Sequence, residues 1–194
     1  MSTYKQIAGT TVKAYTTNPS DPQEGEMWYN QTALKLRGVT ALAAWSSSAP
    51  LTTAIYYNAG AGIQTAALSF GGVAGPNPST TTQTEEYNGS GWSIGGALPV
   101  AKRSGMGCGT QTAGMVTGGL DAPASANLTT TFHYNGSSWT SSGALPSGRR
   151  NNSAFGIQTA AVTLGNLNPV NATIDVYNGS SWTGGTNYPS TNSN

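Results

Sequence analysis

The hexapeptide pattern Tyr-Asn-Gly-Ser-X-Trp occurs three times, at Tyr87–Trp92, Tyr134–Trp139 and Tyr177–Trp182. Asn-Gly between two β-favouring aromatics is a strong hairpin signal. Both central residues of a type I′ turn need positive φ, which Gly takes freely and Asn takes at little cost. Each copy is therefore expected to be a pair of antiparallel strands, with Tyr entering and Trp leaving. Asn88, Asn135 and Asn178 are expected at positive φ.

Three copies make an internal repeat, and independent markers fix its period. Trp45, Trp92 and Trp139 are 47 residues apart, and Trp182 follows after 43. Gln64-Thr65-Ala66, Gln111-Thr112-Ala113 and Gln158-Thr159-Ala160 keep the same spacing, as do Gly71-Gly72, Gly118-Gly119 and Gly165-Asn166. The four missing residues then fall between Gly165 and Tyr177, in a Pro- and Asn-rich connection where a deletion is tolerated.

Each unit divides into four short strands. A glycine-rich one comes first (58–62, 105–109, 152–156), and an apolar one ends on the glycine pair. A third runs into the tyrosine, and a fourth runs from the tryptophan toward Leu98-Pro99, Leu145-Pro146 or Tyr188-Pro189. No helical periodicity interrupts them, so the chain is expected to be all-β. Glycine inside a strand weakens it unless backbones must approach closely, so the first strands are expected to crowd together. The partition is residues 1–47 as a separate segment, then repeats over 48–97, 98–144 and 145–194.

Residues 1–47 differ from the repeats. A turn-rich connector (Asn18-Pro19-Ser20-Asp21-Pro22) precedes Met27-Trp28-Tyr29-Asn30, and a turn at 30–33 leads to Leu34–Val39, which alternates like a half-exposed strand. The segment holds seven of the chain's fifteen charged residues. The segment reads either as a solvated cap on the first repeat or as a docking segment; in the second reading Trp28, Tyr29, Lys35 and Arg37 are the expected docking residues, because aromatics flanked by charges suit an interface.

Composition excludes several functions. Only 8% of residues are charged and the net charge is +1, which suits no nucleic-acid partner. No apolar run is long enough to span a membrane, and the first residues lack a signal-peptide core. The one cysteine, Cys108, has no partner for a disulfide. The one histidine, His133, takes a strand position that holds Glu86 and Val176 in the sister units. Glu85 and Glu86 are adjacent on a strand and face opposite ways, so they form no working pair of carboxylates. No catalytic, cofactor-binding or metal-ligating set is expected, and the chain reads as not an enzyme. Arg103 and Arg150, beside Lys102 and Arg149, recur at one repeat position. They form either structural contacts or a positive rim for an anionic ligand such as a surface glycan.

The order glycine pair, Tyr, Trp, Leu-Pro and then Arg resembles a kelch repeat. The wording of the units, together with Gln23-Glu24-Gly25-Glu26-Met27-Trp28-Tyr29-Asn30 and Leu34-Lys35 near the start, is similar to kelch-like virion structural proteins of tailed, marine-type bacteriophages. That resemblance implies β-propeller blades and a virion protein made in the host cytoplasm. It further implies a tail or fibre component anchored to other virion proteins through residues 1–47, homo-oligomeric, with repeats exposed to a host surface. Capsid decoration, a head fibre, or a cellular glycan-binding propeller are the alternatives. Three units are fewer than the four to eight blades of a closed propeller. Either the chain is part of a longer one, a partner supplies further blades, or three blades stack with open edges.

Overall fold

The computed structural model describes residues 12–22, 26–38, 47–75, 79–121, 125–151, 153–167 and 170–187. Every regular element among them is a β-strand. The chain divides into two compact units, residues 1–47 and 48–194.

The first unit is a three-stranded sheet of β1 (Lys13–Tyr15), β2 (Met27–Asn30) and β3 (Lys35–Gly38). β2 and β3 form the expected hairpin, whereas β1 adds in parallel to β2, a pairing the short Lys-Ala-Tyr segment gave no sign of. Asn18 in the turn-rich connector ties the unit together. Its Oδ1 accepts hydrogen bonds from Trp28 Nε1 (3.2 Å) and Asn30 Nδ2 (2.8 Å). β3 was expected to be half-exposed, but all four of its residues face solvent.

The second unit holds the repeats. In the first are β4 (Ile55–Tyr56), β5 (Ala59–Ile63), β6 (Ala66–Phe70), β7 (Val73–Ala74), β8 (Ser79–Thr80), β9 (Thr84–Tyr87) and β10 (Trp92–Ile94). The second contains β11 (Met106–Gly109), β12 (Gly114–Thr117), β13 (Leu120–Asp121), β14 (Ala126–Asn127), β15 (Thr131–Tyr134) and β16 (Trp139–Ser142). The third contains β17 (Ser153–Ile157), β18 (Ala160–Leu167), β19 (Val170–Tyr177) and β20 (Trp182–Gly184). Each repeat is thus a four-stranded antiparallel sheet whose strands pair in chain order: β5-β6-β9-β10, β11-β12-β15-β16 and β17-β18-β19-β20.

In the first two repeats the residues after the glycine pair make separate two-residue strands, β7–β8 and β13–β14. The third repeat lacks four residues here. β18 and β19 instead run on together to the Leu167↔Val170 pair, with a register shift between Leu164 and Asn166. The deletion shortens an arm and leaves the sheet intact.

The hairpins form where the sequence places them, with Tyr87 opposite Trp92, Tyr134 opposite Trp139 and Tyr177 opposite Trp182. Their turn is not type I′. Gly89, Gly136 and Gly179 have φ of 93°, 92° and 98°, while Asn88, Asn135 and Asn178 are absent from the positive-φ residues. Each asparagine acts through its side chain instead. Asn135 Oδ1 accepts from Ser137 N (3.0 Å), Ser137 Oγ (3.0 Å) and Ser138 N (2.9 Å), and the sister turns repeat the set. An Asx cap of this kind closes a four-residue loop and leaves asparagine in an ordinary backbone region. It also explains the serine after each Asn-Gly, which donates twice.

The sheets stack, with β5 beside β11 and β11 beside β17. At the first junction a Cβ on Gly107 would lie 2.3 Å from the Gly60 carbonyl oxygen, so only glycine permits this approach. Two apolar clusters fill the junctions. One joins Leu68 and Phe70 of repeat 1 to Leu98, Val116, Phe132, Tyr134 and Trp139 of repeat 2. The other joins Met106, Cys108 and Met115 of repeat 2 to Leu145, Ala161, Tyr177 and Trp182 of repeat 3. Each fully buried side chain of this size contributes roughly 1.5–3 kcal/mol. The core therefore lies between repeats, and no single repeat encloses one.

Candidate functional site

The repeat markers make the junctions. Trp139 Nε1 donates to Thr84 Oγ1 and Trp182 Nε1 to Thr131 Oγ1, both at 2.9 Å, from each repeat to the one before it. Gln111 Nε2 donates to the Tyr87 carbonyl (2.6 Å), and Gln158 Nε2 to that of Tyr134 (2.7 Å). The tyrosine hydroxyls reach back as well, Tyr134 to Glu86 and Tyr177 to Ser142 and the His133 ring. Burial and the Glu86 hydrogen bond push the Tyr134 hydroxyl up to about 12.

Lys102 and Arg149 act as pegs between repeats. The Lys102 carbonyl accepts from Gly72 N of repeat 1 (2.8 Å), while its Nζ donates to Gly118 O (3.0 Å) and Thr130 Oγ1 (2.7 Å) of repeat 2. The Arg149 carbonyl accepts from Gly119 N (2.7 Å), and its guanidinium donates to Gly165 O and Thr173 O of repeat 3. The glycine pairs are where these segments cross. A Cβ on Gly71 or Gly118 would lie 2.7 or 2.6 Å from the carbonyl oxygen of Lys102 or Arg149.

One buried position is solved three ways. In repeat 3 Arg149 meets Asp175 at 2.5 Å. Burial raises the Asp175 carboxyl and the guanidinium opposes that rise. In repeat 2 Lys102 lies over the Phe132 ring, 4.6 Å from its centre. In repeat 1 the cation's place is taken by Ile55, and Glu85, fully buried, accepts from Thr52 N (2.7 Å), Thr53 N (3.3 Å) and Gln83 Nε2 (2.6 Å). Glu85, Glu86 and Asp175 are thus three of the four acids in the repeats, and all are engaged in contacts, Glu86 across to the next repeat and the other two within their own. His133 lies edge-on to Tyr177, and Cys108 is a buried free thiol pushed up to about 11. Among the described residues no three of His, Cys, Asp and Glu lie close enough to hold a metal ion.

Arg103 and Arg150 have a different setting. They converge on one pocket of about 170 Å³, lined also by Tyr57, Ser104, Leu120 and Asn151. The Arg103 guanidinium carbon lies 5.9 Å from the centre of the Tyr57 ring. Backbone bonds in both directions between Arg103 and Leu120 fix the first arginine's position. Tyr57, Ser104 and Asn151 occupy the same place in successive repeats. All three are non-glycine residues in the left-handed region, with φ of 57°, 54° and 52°. They are joined in series, Ser104 N to Tyr57 O (2.9 Å) and Asn151 N to Ser104 O (3.1 Å). Sequence reasoning missed this trio because Tyr, Ser and Asn share no turn signal; only the 47-residue spacing beside the arginines marks it.

The expected docking residues are not all available on the first unit. Trp28 is 5% exposed, so its ring is already covered by the chain and offers no surface to a partner. Tyr29 is half-buried, and Lys35 and Arg37 are exposed. No protein-family model matches the chain, and no curated protein matches its sequence.

Proposed function

We propose that this chain is a non-enzymatic, kelch-like structural protein of a tailed-phage virion. Its three sheets serve as propeller blades, and its first 47 residues attach it to other virion proteins. The observation that carries the reading is the use made of the motif residues. Tyr134, Tyr177, Trp139, Trp182, Gln111, Gln158, Lys102 and Arg149 all form junctions between successive sheets. A repeat whose marker residues hold its neighbours serves as a scaffold, and Glu86, Asp175 and His133 are engaged in contacts within it.

Two further features support the reading. The row Cys108–Met115–His133 of repeat 2 faces repeat 3, and the corresponding row of repeat 3 is Phe155–Val162–Val176. Phe155 is 58% exposed and Val176 42% exposed, an apolar row suited to another β-unit and consistent with homo-oligomerisation. On the first unit the attachment surface is the exposed β3 face with Lys35 and Arg37, since Trp28 is taken up by the unit's own packing. The test is incorporation. A variant lacking residues 1–44 is expected to be missing from purified particles, as read by mass spectrometry. Normal incorporation of that variant contradicts the attachment role.

A further inference from the structure

We propose that the pocket between Arg103 and Arg150 binds the oxyanion of an acidic sugar, a carboxylate or sulfate group, with the sugar ring resting on Tyr57. The inference concerns ligand chemistry and does not depend on which particle or cell carries the chain.

The lining is cationic, since none of its six residues is acidic and two carry guanidinium groups. Guanidinium presents paired N–H donors in a plane, which matches carboxylate and sulfate oxygens better than an ammonium does. The Ser104 hydroxyl and the Asn151 carboxamide form no hydrogen bond among the described residues, so both remain to meet a ligand's oxygen atoms. Tyr57 is 58% exposed at the mouth of the pocket, with Arg103 over its ring and Tyr56 tilted against it at 5.2 Å. An exposed aromatic next to a charge is suited to the apolar face of a sugar.

The site is preorganised. Three successive repeats hold a non-glycine residue at positive φ here, an arrangement that costs energy at each position and persists only where the surroundings enforce it. The bonds from Ser104 to Tyr57 and from Asn151 to Ser104 supply that enforcement. The three strained residues therefore lie at one place in successive repeats, beside the two arginines that line the pocket. The volume of about 170 Å³ admits one charged group, and the rest of the ligand must lie outside, toward Tyr57.

The test titrates the intact chain with glucuronic acid, glucose 6-sulfate, glucose and inorganic sulfate, read by NMR shift changes or calorimetry. The two acidic sugars are expected to bind, more weakly as salt is raised, and glucose is expected not to bind. Arg103→Gln and Arg150→Gln are each expected to weaken acidic-sugar binding about tenfold or more. Tyr57→Ala is expected to weaken the sugars while leaving inorganic sulfate unchanged. Unfolding midpoints of the three variants separate loss of the site from loss of the fold. Equal binding of glucose and glucuronic acid overturns the charge assignment. Equal binding of inorganic sulfate and glucose 6-sulfate overturns the sugar assignment. Unchanged affinity in a folded Arg103→Gln or Arg150→Gln variant, or no binding of either acidic sugar at millimolar concentration, overturns the site.

Discussion

Lys102 carries its ammonium 4.6 Å from the centre of the Phe132 ring, at the place where Arg149 meets Asp175 one repeat later. Burial draws its pKa from 10.5 down to about 7, against the opposing pull of two oxygen acceptors and the ring face. Between those values the unfolded chain holds a proton that the folded chain has released, so stability rises with pH across that window. Below pH 7 both states hold it, and the cost of burying the charge is carried in full. His133, lowered by burial, adds a loss of stability as pH falls through its ordinary value of 6.5. The unfolding midpoint is expected to climb from pH 5 to pH 9, above which the buried Cys108 thiol, held protonated in the folded chain, opposes the rise. Lys102→Met is expected to flatten the climb above pH 7, and an unchanged slope in that variant assigns the titration elsewhere.

Gly107 and Gly91 make a matched pair for the close approach of strands. A Cβ on Gly107 would lie 2.3 Å from Gly60 O and 2.8 Å from Phe70, whereas a Cβ on Gly91 meets nothing within 4 Å. Gly107→Ala is expected to destabilise by about 1–3 kcal/mol through overpacking, and Gly91→Ala by less than about 0.5 kcal/mol. Chemical denaturation reads both. Equal effects would mean that the sheets are not packed through Gly60 and Gly107.

The turn cap separates asparagine's side chain from its backbone. Asn135→Ala removes one oxygen that accepts four hydrogen bonds, and water replaces part of the loss at this exposed loop, so about 0.5–2 kcal/mol is expected. Asn135→Asp retains the acceptor and is expected to retain most of the stability. Gly136→Val forces a β-branched residue to φ of 92° and is expected to cost about 1–3 kcal/mol. If Asn135→Gly were the stabilising change, a backbone role for the asparagine would be the better account.

The sheets were legible in the sequence because their signals are local. Aromatics flanking Asn-Gly fix each hairpin, and the 47-residue period aligns one repeat with the next. What Asn-Gly does not specify is whether asparagine acts through φ or through Oδ1, and here the serine two residues on decides it. The junctions were not legible, because each joins residues from different repeats. Gln111 reads as part of a Gln-Thr-Ala marker until Tyr87 O is seen beside it. Lys102 and Arg149 read as companions of Arg103 and Arg150, yet they are buried while their neighbours line a pocket. Trp28 reads as an interface ring, since nothing in the sequence pairs it with Asn18.

The repeated tryptophan is a junction residue, and the chain contains its own control. Trp139 and Trp182 are buried and donate to Thr84 and Thr131, whereas Trp92 is half-buried and donates to no acceptor among the described residues. The measurement is the unfolding free energy of Trp92→Phe, Trp139→Phe and Trp182→Phe, each against the unaltered chain. Trp139→Phe and Trp182→Phe are expected to lose about 1–3 kcal/mol each, from the lost indole bond and contact area. Trp92→Phe is expected to lose less than about 0.5 kcal/mol. Equal losses at all three positions would place the tryptophan's role inside its own hairpin and contradict the account.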